Sequence, residues 1–569
     1  MNRQPRQQTD RAHRRAIETG RTRLVLMGAL AMLAFLAVGV RLVDVMALRE
    51  GHEPRLADAN LPVVWQTERA DILDRNGEIL ATNLRTASLY ADPKKVQNPR
   101  QAAQRLARLL PGLNRAATFT LLTSNRRFIW IRRHLTPRQQ YAVNALGIPG
   151  LYFQHEERRA YPHGHLAAHV VGFTGVDNRG LAGIEKSFDE VLRNGSGPLR
   201  LSLDIRVQHI LADEIAGAMQ RFQAIAGIGV VMDVTNGEVL GLVSLPDFDP
   251  NRPGAASPNA LFNRATLGIY EMGSTFKIFT AAMALESGTA TIQSIYDASK
   301  PIRVARFLIR DFKPKNRWLS MPEILMYSSN IGAAKMAMDV GTDRQRAYLA
   351  KLGLLNQADI ELPEIGTPLS PKRWREINLM TIAYGHGLAV SPLQLTSAVA
   401  TVANGGIALP ATMLHQPNAT AAQDAAKEGR RVFSPETSER MRRLLRLVVA
   451  KGTGRNAAAK GYLVGGKTGT AEKISAKGYA RKSLRASFIG AFPMHAPRYA
   501  VFVMLDEPKG DKKSFGYATG GWVAAPLVSR IVTRMAPLVG VAPIDENAPA
   551  IKQRMFIEIN DRGQKLASF

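Results

Sequence analysis

The pattern of apolar and polar positions divides the chain into one long apolar run near its start and a much longer mixed region. Residues 24–40 contain 17 consecutive positions without a charged side chain. As a helix, this run covers about 25 Å of the roughly 30 Å hydrocarbon layer of a bilayer, and the apolar residues just beyond it extend the span. The pattern therefore predicts a transmembrane helix over residues 24–45.

The mixed region predicts short strands and modest helices. A helix is expected from Pro137 to Leu146, because Thr136 is a favourable N-cap and Gly147 follows the end. A hairpin is predicted around Asn236-Gly237, a dipeptide typical of tight turns between strands. The expected strands of this later part are Gly229–Val234, Glu238–Ser244, Tyr462–Lys473, Ala486–Pro493 and Tyr499–Asp506, followed by a helix over Trp522–Met535.

One apolar segment in the middle of the chain contains a polar pair. The residues after Phe276 are almost all apolar, as expected for a helix inside a domain. If this helix begins at Gly273, the amine of Lys277 lies close to the hydroxyl of Ser274, because residues three apart share a helix face. Burial lowers the pKa of a lysine, and a second cation nearby lowers it further. The pair is therefore a candidate nucleophile with its base.

Taken alone, an S-x-x-K pattern more often belongs to a core helix with a buried serine and a lysine that reaches towards solvent. No other serine of this chain has a lysine three positions later. A second motif, Ser328-Ser329-Asn330, follows within a stretch predicted as one helix from Pro322 to Ala337. There Ser328 would offer a hydroxyl for proton relay, and Asn330 an amide for orienting a substrate.

The third motif is Lys467-Thr468-Gly469-Thr470, inside a predicted strand. Lys467 would supply the second cation beside Lys277. The hydroxyls of Thr468 and Thr470 would bind a substrate carboxylate, and Gly469 would let a substrate backbone lie close to the strand.

Composition limits the remaining possibilities. The chain has 569 residues, 46% of them hydrophobic, which suits several folded domains and excludes a disordered chain. The net charge of +28 would suit a nucleic acid or an anionic surface, but no nucleic-acid recognition motif accompanies it. With no cysteine, disulfides and thiolate chemistry are excluded.

The N-terminal segment predicts the orientation of the membrane helix. Residues 1–23 contain seven arginines against two acidic residues, and such a cluster stays on the cytoplasmic side. A cleaved signal peptide is the alternative, with Ala37-Val38-Gly39 as a possible cleavage site, but the apolar run is longer than a usual signal-peptide core. We therefore expect an uncleaved anchor, with everything beyond residue 46 outside the cytoplasm.

Together, S-x-x-K, S-x-N and K-T-G in this order resemble the motif set of penicillin-binding proteins and serine β-lactamases. The stretch Arg69 to Gly77 is similar to the R-G-x-I-x-D-R-N-G motif of class B penicillin-binding proteins, with Ala70 where that family usually has glycine. Further matches are Arg159-Ala160-Tyr161-Pro162, Ala168-His169, Gly172-Phe173 and Gly183-Ile184-Glu185.

The resemblance implies an α+β protein with a membrane anchor, a pedestal module and a penicillin-binding transpeptidase domain. That domain would contain five antiparallel strands with helices on both faces, and a helical subdomain between its second and third strands. The expected divisions are a basic cytoplasmic segment 1–23, the transmembrane helix 24–45, the pedestal 46–225, the transpeptidase domain 226–540 and a tail 541–569.

The resemblance also implies a reaction and the roles of the motif residues. A peptidoglycan D,D-transpeptidase acylates its serine, here Ser274, with a D-Ala-D-Ala stem peptide and passes the acyl group to an amine on a neighbouring strand. Lys277 would be the base, with Ser328, Asn330 and Lys467 completing the relay. The backbone N–H groups of Ser274 and Thr470 would form the oxyanion hole, and neither metal nor cofactor is expected.

Several partners and a location follow from the same resemblance. The substrates would be stem peptides on glycan strands derived from lipid II, and β-lactams would be inhibitors. The single-span layout and the stretch Arg69 to Pro93, which looks like that of septal enzymes, favour the septal, FtsI type. This type acts in the inner membrane at the division site with the septal SEDS glycosyltransferase FtsW and other divisome membrane proteins. An elongation-type class B enzyme, with the same chemistry, is the main alternative.

Three other classes of protein fit this sequence less well. A β-lactamase needs an activated water for deacylation, and no clear glutamate motif lies between Ser328 and Lys467. A β-lactam sensor would need a cytoplasmic signalling domain, for which residues 1–23 are too short. A scaffold without catalytic activity would be expected to have lost a motif, whereas all three are intact.

Two other patterns in the sequence could indicate a phosphate site or a metal site. Gly461 to Thr468 matches the P-loop pattern G-x-x-x-x-G-K-[ST], but no buried strand precedes it and no helix is predicted after it. The histidines His155, His163, His165 and His169 could suggest a metal site, yet two lie in a predicted turn, so structural roles are expected.

Asp71, Asp74 and Arg75 are expected to form a buried ionic network in the pedestal.

Overall fold

The computed structural model describes residues 25–40, 69–195, 197–304, 307–416, 429–475 and 478–559. Residues 25–40 form a helix, α1, inside the predicted transmembrane segment; residues 24 and 41–45 of that segment, and the predicted cytoplasmic segment 1–23, lie outside the described ranges. Among the residues described, no helix combines the length and apolar character needed to cross a bilayer. The described residues from 69 onward belong to one compact unit, which contains both sheets described below.

The pedestal is built on a mixed sheet whose centre is the long strand β2. The strands of this sheet are β1 (Ile72–Leu73), β2 (Ile79–Ala91), β3 (Ile129–Leu135), β4 (Leu151–Ala160) and β7 (Leu199–Arg200). The pedestal also contains a separate antiparallel pair, β5 (Phe173–Thr174) and β6 (Gly180–Ala182). Its helices are α2 (Pro99–Leu109), α3 (Arg115–Leu122), α4 (Pro137–Asn144), α5 (Ala168–Val171), α6 (Gly183–Ser187) and α7 (Asp189–Arg193). β2 pairs antiparallel with β1, β3 and β4, and β7 runs parallel to β1.

The predicted pedestal helix is confirmed in its start and its N-cap. α4 begins after Thr136, whose side chain accepts the N–H of Gln139, and the Gln139 side chain accepts the N–H of Thr136 in return. This reciprocal capping satisfies two N–H groups that the first helical turn leaves unpaired. The helix ends at Asn144, slightly earlier than expected.

The predicted ionic network of the pedestal uses different residues from those expected. Glu185 accepts from the guanidinium of Arg69 at 2.6 Å and from that of Arg159 at 2.7 Å, and all three side chains are almost completely buried. The Asp74 carboxylate instead accepts backbone N–H groups in its own turn, and Arg75 pairs with Glu238 in the second region at 3.1 Å. The sequence motif thus contributes Arg69 to a network whose anion lies over a hundred residues later, and Asp74 stabilises a turn in the same motif.

The second region is organised around a five-stranded antiparallel sheet, as predicted. In order across the sheet, the strands are β18 (Gly465–Ser475), β19 (Gly478–Phe492), β20 (Tyr499–Asp506), β8 (Ala226–Asp233) and β9 (Val239–Leu245). The first strand in sequence, β8, therefore pairs with the last, β20, over its full length. This closure was not part of the sequence prediction.

Helices cover both faces of this sheet. α8 (Ile205–Phe222) and α17 (Ala524–Met535) pack on one face through a core that includes Val207, Leu211, Val501 and Val528. α8 precedes the boundary predicted at residue 225, yet its apolar side belongs to this core. We therefore propose a domain boundary near residue 204.

The other face is covered by the insertion between β9 and β18. Its helices are α9 (Pro258–Leu261), α10 (Lys277–Glu286), α11 (Met321–Tyr327), α12 (Asn330–Val340), α13 (Thr342–Lys351), α14 (Glu376–Ile382), α15 (Pro392–Ala403) and α16 (Pro435–Lys451). Its short strands are β10 (Tyr270–Glu271), β11 (Ile295–Asp297), β12 (Ile302–Val304), β13 (Phe307–Ile309), β14 (Trp318–Ser320), β15 (Ala389–Val390), β16 (Ile407–Ala408) and β17 (Arg430–Arg431). After the sheet, α18 (Pro549–Met555) packs near α16, within the part of the predicted tail that the structure describes.

Candidate active site

The candidate nucleophile lies in a tight turn at the start of α10. Residues Gly273–Phe276 form a 3₁₀ turn, and the α-helix begins only at Lys277. In a 3₁₀ turn, residues three apart lie directly above one another. The Lys277 Nζ consequently lies 2.7 Å from the Ser274 Oγ, the contact that the sequence predicted, although the local helix type differs.

The amine of Lys277 is enclosed by the protein. Its side chain is 1% exposed, and every residue of α10 from Lys277 to Leu285 is buried. The Nζ donates to the Oδ1 of Asn330 at 2.7 Å and to the Oγ of Ser328 at 3.2 Å. All three oxygens around the amine are uncharged, so none of them compensates a positive charge by an ion pair.

Ser328 lies at a break between two helices. The sequence predicted one helix from Pro322 to Ala337, but α11 ends at Tyr327 and Ser328 has a φ of +62°. Ser329 then caps α12 by accepting the N–H of Gly332 at 3.0 Å. The prediction of a continuous helix was wrong here because serine favours caps over helix interiors.

The helix break aims Ser328 between the two lysines. Its Oγ lies 3.2 Å from the Nζ of Lys277 and 3.0 Å from the Nζ of Lys467. A hydroxyl both donates and accepts, so one serine can bridge two amines. Ser328 is the one side chain of the described site that contacts both lysines.

Asp311 supports this break and was missed by the sequence analysis. Its carboxylate accepts the backbone N–H of Asn330 at 2.6 Å, the N–H of Ile331 at 3.0 Å and the hydroxyl of Ser329 at 2.8 Å. It thus caps the start of α12, where the helix dipole favours a negative charge. Nothing in the sequence identifies an aspartate in a distant loop as the cap of this helix.

The neighbouring carbonyl of Arg310 fixes the orientation of Asn330. The Asn330 Nδ2 donates to it at 2.8 Å, so the Oδ1 of the same amide faces Lys277. The loop containing Arg310 and Asp311 therefore holds both the backbone and the side chain of the S-x-N motif.

The third motif lies on β18, at the edge of the main sheet. Lys467 is fully buried, and its Nζ donates to the Thr468 carbonyl at 3.1 Å as well as to Ser328. The Thr468 hydroxyl donates to Thr453 at 3.0 Å, and the Thr470 hydroxyl accepts the N–H of Gly520 at 3.1 Å.

Gly469 is required for a reason that the sequence did not reveal. A Cβ at this position would lie 2.2 Å from the Ser487 Oγ and 2.9 Å from the Met272 carbonyl oxygen. The protein's own atoms therefore fill the space beside this glycine. The same packing brings the nucleophile turn against β18, since a Cβ on Gly273 would lie 2.9 Å from the Thr470 carbonyl oxygen.

The electrostatics of the two lysines are unusual. Burial, followed by the positive charge of Lys467, holds the pKa of Lys277 well below its ordinary value, and Asp311 opposes this shift. Burial lowers the pKa of Lys467 to about 7. A lysine whose amine is neutral near pH 7 can accept a proton, as a general base must.

A loop after α14 closes the side of the site next to Lys277. The ring centroid of Tyr384 lies 5.9 Å from the Lys277 Nζ. Gly385 accepts the N–H of Gly273 through its carbonyl at 3.1 Å, and a Cβ on Gly385 would lie 2.0 Å from the Gly273 carbonyl oxygen. Glycine is therefore needed at residue 385, a position that the sequence analysis did not single out.

The competing motifs have other structural explanations. The residues after Gly465 form strand β18, whereas a P-loop leads into a helix. His169 is buried with its ring edge-on to Phe248 at 5.2 Å, and burial lowers its pKa to about 4. His163 and His165 lie near the carboxylates of Glu78 and Asp247.

Comparison with known proteins agrees with this geometry. Residues 227–533 match the family described as penicillin binding protein transpeptidase domain, and residues 65–204 match the penicillin-binding protein dimerisation domain. The chain is 39% identical over 486 residues to the probable peptidoglycan D,D-transpeptidase FtsI of Caulobacter vibrioides, covering 83% of this chain and 82% of that protein. It is 30% identical over 513 residues to the peptidoglycan D,D-transpeptidase FtsI of Escherichia coli K12, covering 84% of each.

A solved structure shows the same fold. The penicillin binding protein 3 of Mycobacterium tuberculosis, in complex with aztreonam, superposes with a TM-score of 0.66 at 23% identity, covering 87% of this chain and 99% of that one. The two family matches and the extended identity to relatives of similar length lead to one conclusion. The chain belongs to the penicillin-binding protein transpeptidase family, with both its dimerisation and its transpeptidase domains.

Proposed function

We propose that this protein is a peptidoglycan D,D-transpeptidase of the septal, FtsI type, which works through an acyl-enzyme on Ser274. The observation that carries the proposal is the buried amine of Lys277, 2.7 Å from the Ser274 Oγ, with a second buried lysine beyond Ser328. This arrangement supplies a serine with a base, because burial and the charge of Lys467 hold the pKa of Lys277 well below its ordinary value.

In the proposed acylation, the Ser274 Oγ attacks the carbonyl carbon between the two D-alanines of a stem peptide. The hydroxyl proton passes to the Nζ of Lys277, and the carbonyl oxygen becomes an oxyanion. As the C–N bond breaks, the leaving D-alanine amine needs a proton. Ser328 supports this transfer, since its hydroxyl contacts both Lys277 and Lys467. The product is an ester on Ser274 and free D-alanine.

In the second half, the amine of a neighbouring stem peptide attacks the ester carbon. This amine loses a proton to the relay, an amide forms, and Ser274 regains its hydroxyl. Backbone N–H groups of Ser274 and Thr470 are proposed to stabilise both oxyanions. The hydroxyls of Thr468 and Thr470, with the charge of Lys467, are proposed to hold the substrate carboxylate.

The location is proposed from the relatives and the first segment of the chain. We propose a single-pass inner-membrane protein with residues 24–45 as anchor, a cytoplasmic N-terminus and a periplasmic catalytic domain. The FtsI names of the relatives support action at the septum. We further propose FtsW as polymerising partner and β-lactams as inhibitors. The elongation-type alternative shares this chemistry and differs from the septal type in its partner and its location.

The catalytic proposal is tested by covalent labelling. The purified protein is incubated with a fluorescent penicillin, and peptide mass mapping locates the adduct. We expect a single acylated residue, Ser274, and no labelling of a Ser274→Ala variant. An adduct on another serine would contradict the assignment.

The septal role is tested separately in cells. A fluorescent fusion to the N-terminus should collect at mid-cell during constriction, and depletion should give filaments with incomplete septa. A fusion spread along the side wall, with round cells on depletion, would assign the protein to elongation and leave the chemistry unaffected. Mass determination of the mature N-terminus tests the anchor, since a chain starting near Val40 would show cleavage.

A further inference from the structure

A cationic segment borders the S-x-N motif of the candidate active site. It comprises residues 310–317, which connect β13 to β14, and we call it the cationic rim. Its charged residues are four cations and one acid: Arg310, Lys313, Lys315, Arg317 and Asp311. The acid is already engaged, because the Asp311 carboxylate caps α12 through three hydrogen bonds. The cationic rim therefore presents an excess of positive charge.

The first residues of the cationic rim are tied directly to the catalytic groups. The Arg310 carbonyl accepts from the Asn330 Nδ2 at 2.8 Å, and the Asn330 Oδ1 accepts from the Lys277 Nζ at 2.7 Å. The amide of one side chain thus separates the cationic rim from the proposed base. The segment lies at the reacting end of the site rather than on a remote face of the domain.

Lys315 of the cationic rim lies over the ring of a residue next to the S-x-N motif. Its Nζ is 4.3 Å from the ring centroid of Tyr327, the residue before Ser328. An ammonium group over an aromatic face is attracted by the ring quadrupole and keeps its charge. Since it has three N–H donors, those that point away from the ring remain for another acceptor. Tyr327 thus positions the amine of Lys315 without neutralising it.

Lys313 extends the cationic rim towards the K-T-G strand. Its Nζ lies 5.2 Å from the ring centroid of Tyr517. Tyr517 belongs to the loop that leads into Gly520, and the Gly520 N–H donates to the Thr470 hydroxyl at 3.1 Å. The cationic rim therefore contacts both the S-x-N motif and the loop that supports the K-T-G strand.

Three cations of the cationic rim have no ion-pair partner among the described residues: Arg310, Lys313 and Lys315. All three are exposed, whereas Arg317 pairs with Glu323 at 2.6 Å. The proline between the two lysines has a fixed φ and restricts the residue before it. The segment therefore presents these cations to a ligand at a lower cost in backbone entropy than a flexible loop would.

We propose that the cationic rim binds further carboxylates of the donor stem peptide, upstream of the bond that Ser274 attacks. The contacts proposed above, from Lys467 and the K-T-G threonines, account only for the C-terminal carboxylate. Such a peptide can also carry carboxyl groups on its second and third residues, either free or as amides. These residues lie roughly 4–7 Å before the acylated one in an extended chain, which suits a segment one side chain away from Lys277.

The consequence is a preference between two kinds of donor peptide. The inference rests on the proposed function, because it concerns the same site and the same substrate. A carboxylate forms charge-assisted hydrogen bonds with lysine and arginine, whereas an amide carries no charge. The protein should therefore prefer stem peptides with free carboxylates over those with amidated ones. Amines that were only solvated would make no such distinction.

The test uses two thioester donors that differ only in these carboxyl groups. In each, the stem peptide ends in a D-alanine joined to thiolactate, which keeps the terminal carboxylate; one donor has free carboxylates and the other has both amidated. Attack by Ser274 breaks the C–S bond, forms the ester and releases a thiol. A thiol reagent detects it without background, because the chain has no cysteine. We expect the full-length protein, in detergent, to have an about tenfold higher kcat/KM for the free-carboxylate donor.

Variants assign this preference to the cationic rim. A Lys313→Gln, Lys315→Gln double variant should reduce it to about twofold or less, through a higher KM for the free-carboxylate donor. A Lys313→Arg, Lys315→Arg double variant retains the charges and should retain most of the preference. Lys300→Gln, at an exposed lysine outside the cationic rim, is the matched control.

The outcomes separate this inference from the proposed function. Equal kcat/KM values for the two donors in wild type would overturn the inference, and so would a preference that the double glutamine variant keeps. A double glutamine variant that slows both donors alike, through kcat, would indicate a structural role and overturn it too. A wild type that a penicillin labels at Ser274 but that turns over neither donor would contradict the proposed function itself.

Discussion

Two buried groups of charge in this protein contain similar cations and differ in how those cations are compensated. In the pedestal, the guanidiniums of Arg69 and Arg159 enclose the carboxylate of Glu185, at 2.6 and 2.7 Å. In the catalytic domain, the amines of Lys277 and Lys467 are buried to the same degree, but their closest partners are neutral oxygens. One cluster is balanced by ion pairs, and the other has two buried amines around one serine, with no anion among the described residues in contact with either.

The difference determines what each cluster can do. A buried charge with an opposite partner remains ionised and fixes the elements that contain it, here β4 and α6 to the first motif of the pedestal. A buried amine without such a partner lowers its own cost by losing the proton. Because no anion of the described residues contacts the lysines, the catalytic domain has an amine that can act as a base. Because an anion contacts both arginines, the pedestal has ion pairs that fix its elements to one another. Substitutions at four positions test this comparison.

The largest expected effect is on catalysis. Lys277→Ala should lower the rate of Ser274 acylation by about 10² to 10⁴ fold, because it removes the base. Lys277→Arg should fail similarly, since a guanidinium stays protonated. Lys335→Ala, at a partly exposed lysine of α12, is the control. Stopped-flow acylation by a chromogenic β-lactam measures the rate, and near wild-type acylation by Lys277→Ala would assign the base elsewhere.

The next effect is on stability. Glu185→Gln leaves two buried guanidiniums without their anion, and should lower the free energy of unfolding by about 3–5 kcal/mol. The rate of Ser274 acylation per folded molecule should stay unchanged. Glu190→Gln, at an exposed position of α7, serves as control. Urea unfolding followed by circular dichroism gives the value, and a stability equal to wild type would show that the network does not hold the pedestal.

A third substitution removes the second cation. Lys467→Met should slow acylation about ten- to hundredfold through loss of a charged contact to the substrate carboxylate. Because the charge of Lys467 lowers the pKa of Lys277, its loss raises that pKa. The reaction needs the neutral amine, so the acid limb of the pH–rate profile should move to higher pH. An acid limb at the wild-type position would mean that the two lysines do not interact.

The smallest effect is expected at Asp311. Asp311→Asn keeps an oxygen to accept from the start of α12 but removes the charge that raises the pKa of Lys277. The acid limb should therefore move to lower pH, opposite to Lys467→Met, while the plateau rate falls about fivefold. Ser274 and Tyr384 also face the Lys277 amine but are not altered. Shifts in the same direction for both variants would refute this electrostatic account.

Much of the site could be predicted from the sequence, because its residues lie in short motifs with fixed spacing. Lys277 meets Ser274 at the predicted separation, and the K-T-G residues form the predicted strand. Four of the five predicted strands of the main sheet lie within three residues of the observed ones at both ends, whereas β19 begins eight residues before the predicted Ala486. In each of these cases, the information is local: helical spacing, alternation, or a turn dipeptide.

The features that were missed depend on contacts between distant segments. Asp311 caps a helix that begins 19 residues later, and Gly385 makes room for a backbone more than a hundred residues earlier. The break at Ser328 overrides a continuous apolar pattern, since capping contacts from Ser329 and Asp311 stabilise it. In the pedestal, the anion of the buried network is Glu185 instead of the expected Asp71 or Asp74, because Glu185 reaches Arg69 from a distant segment. Neither Asp311 nor Gly385 has a sequence signature that links it to the site.

The pairing of β8 with β20 has a consequence for the order in which the protein is built. Ala226 pairs with Asp506, so the central sheet is incomplete until the chain has been synthesised past residue 506. Contacts of such separation form slowly, because a long loop must close before they contribute. Lys467 lies on β18, one of the three late strands that must pair with β8 through β20, whereas Ser274 precedes all three strands in the chain. A growing or exported chain therefore contains its serine long before it contains an environment that can activate it, and the protein becomes reactive only after its last strand is in place.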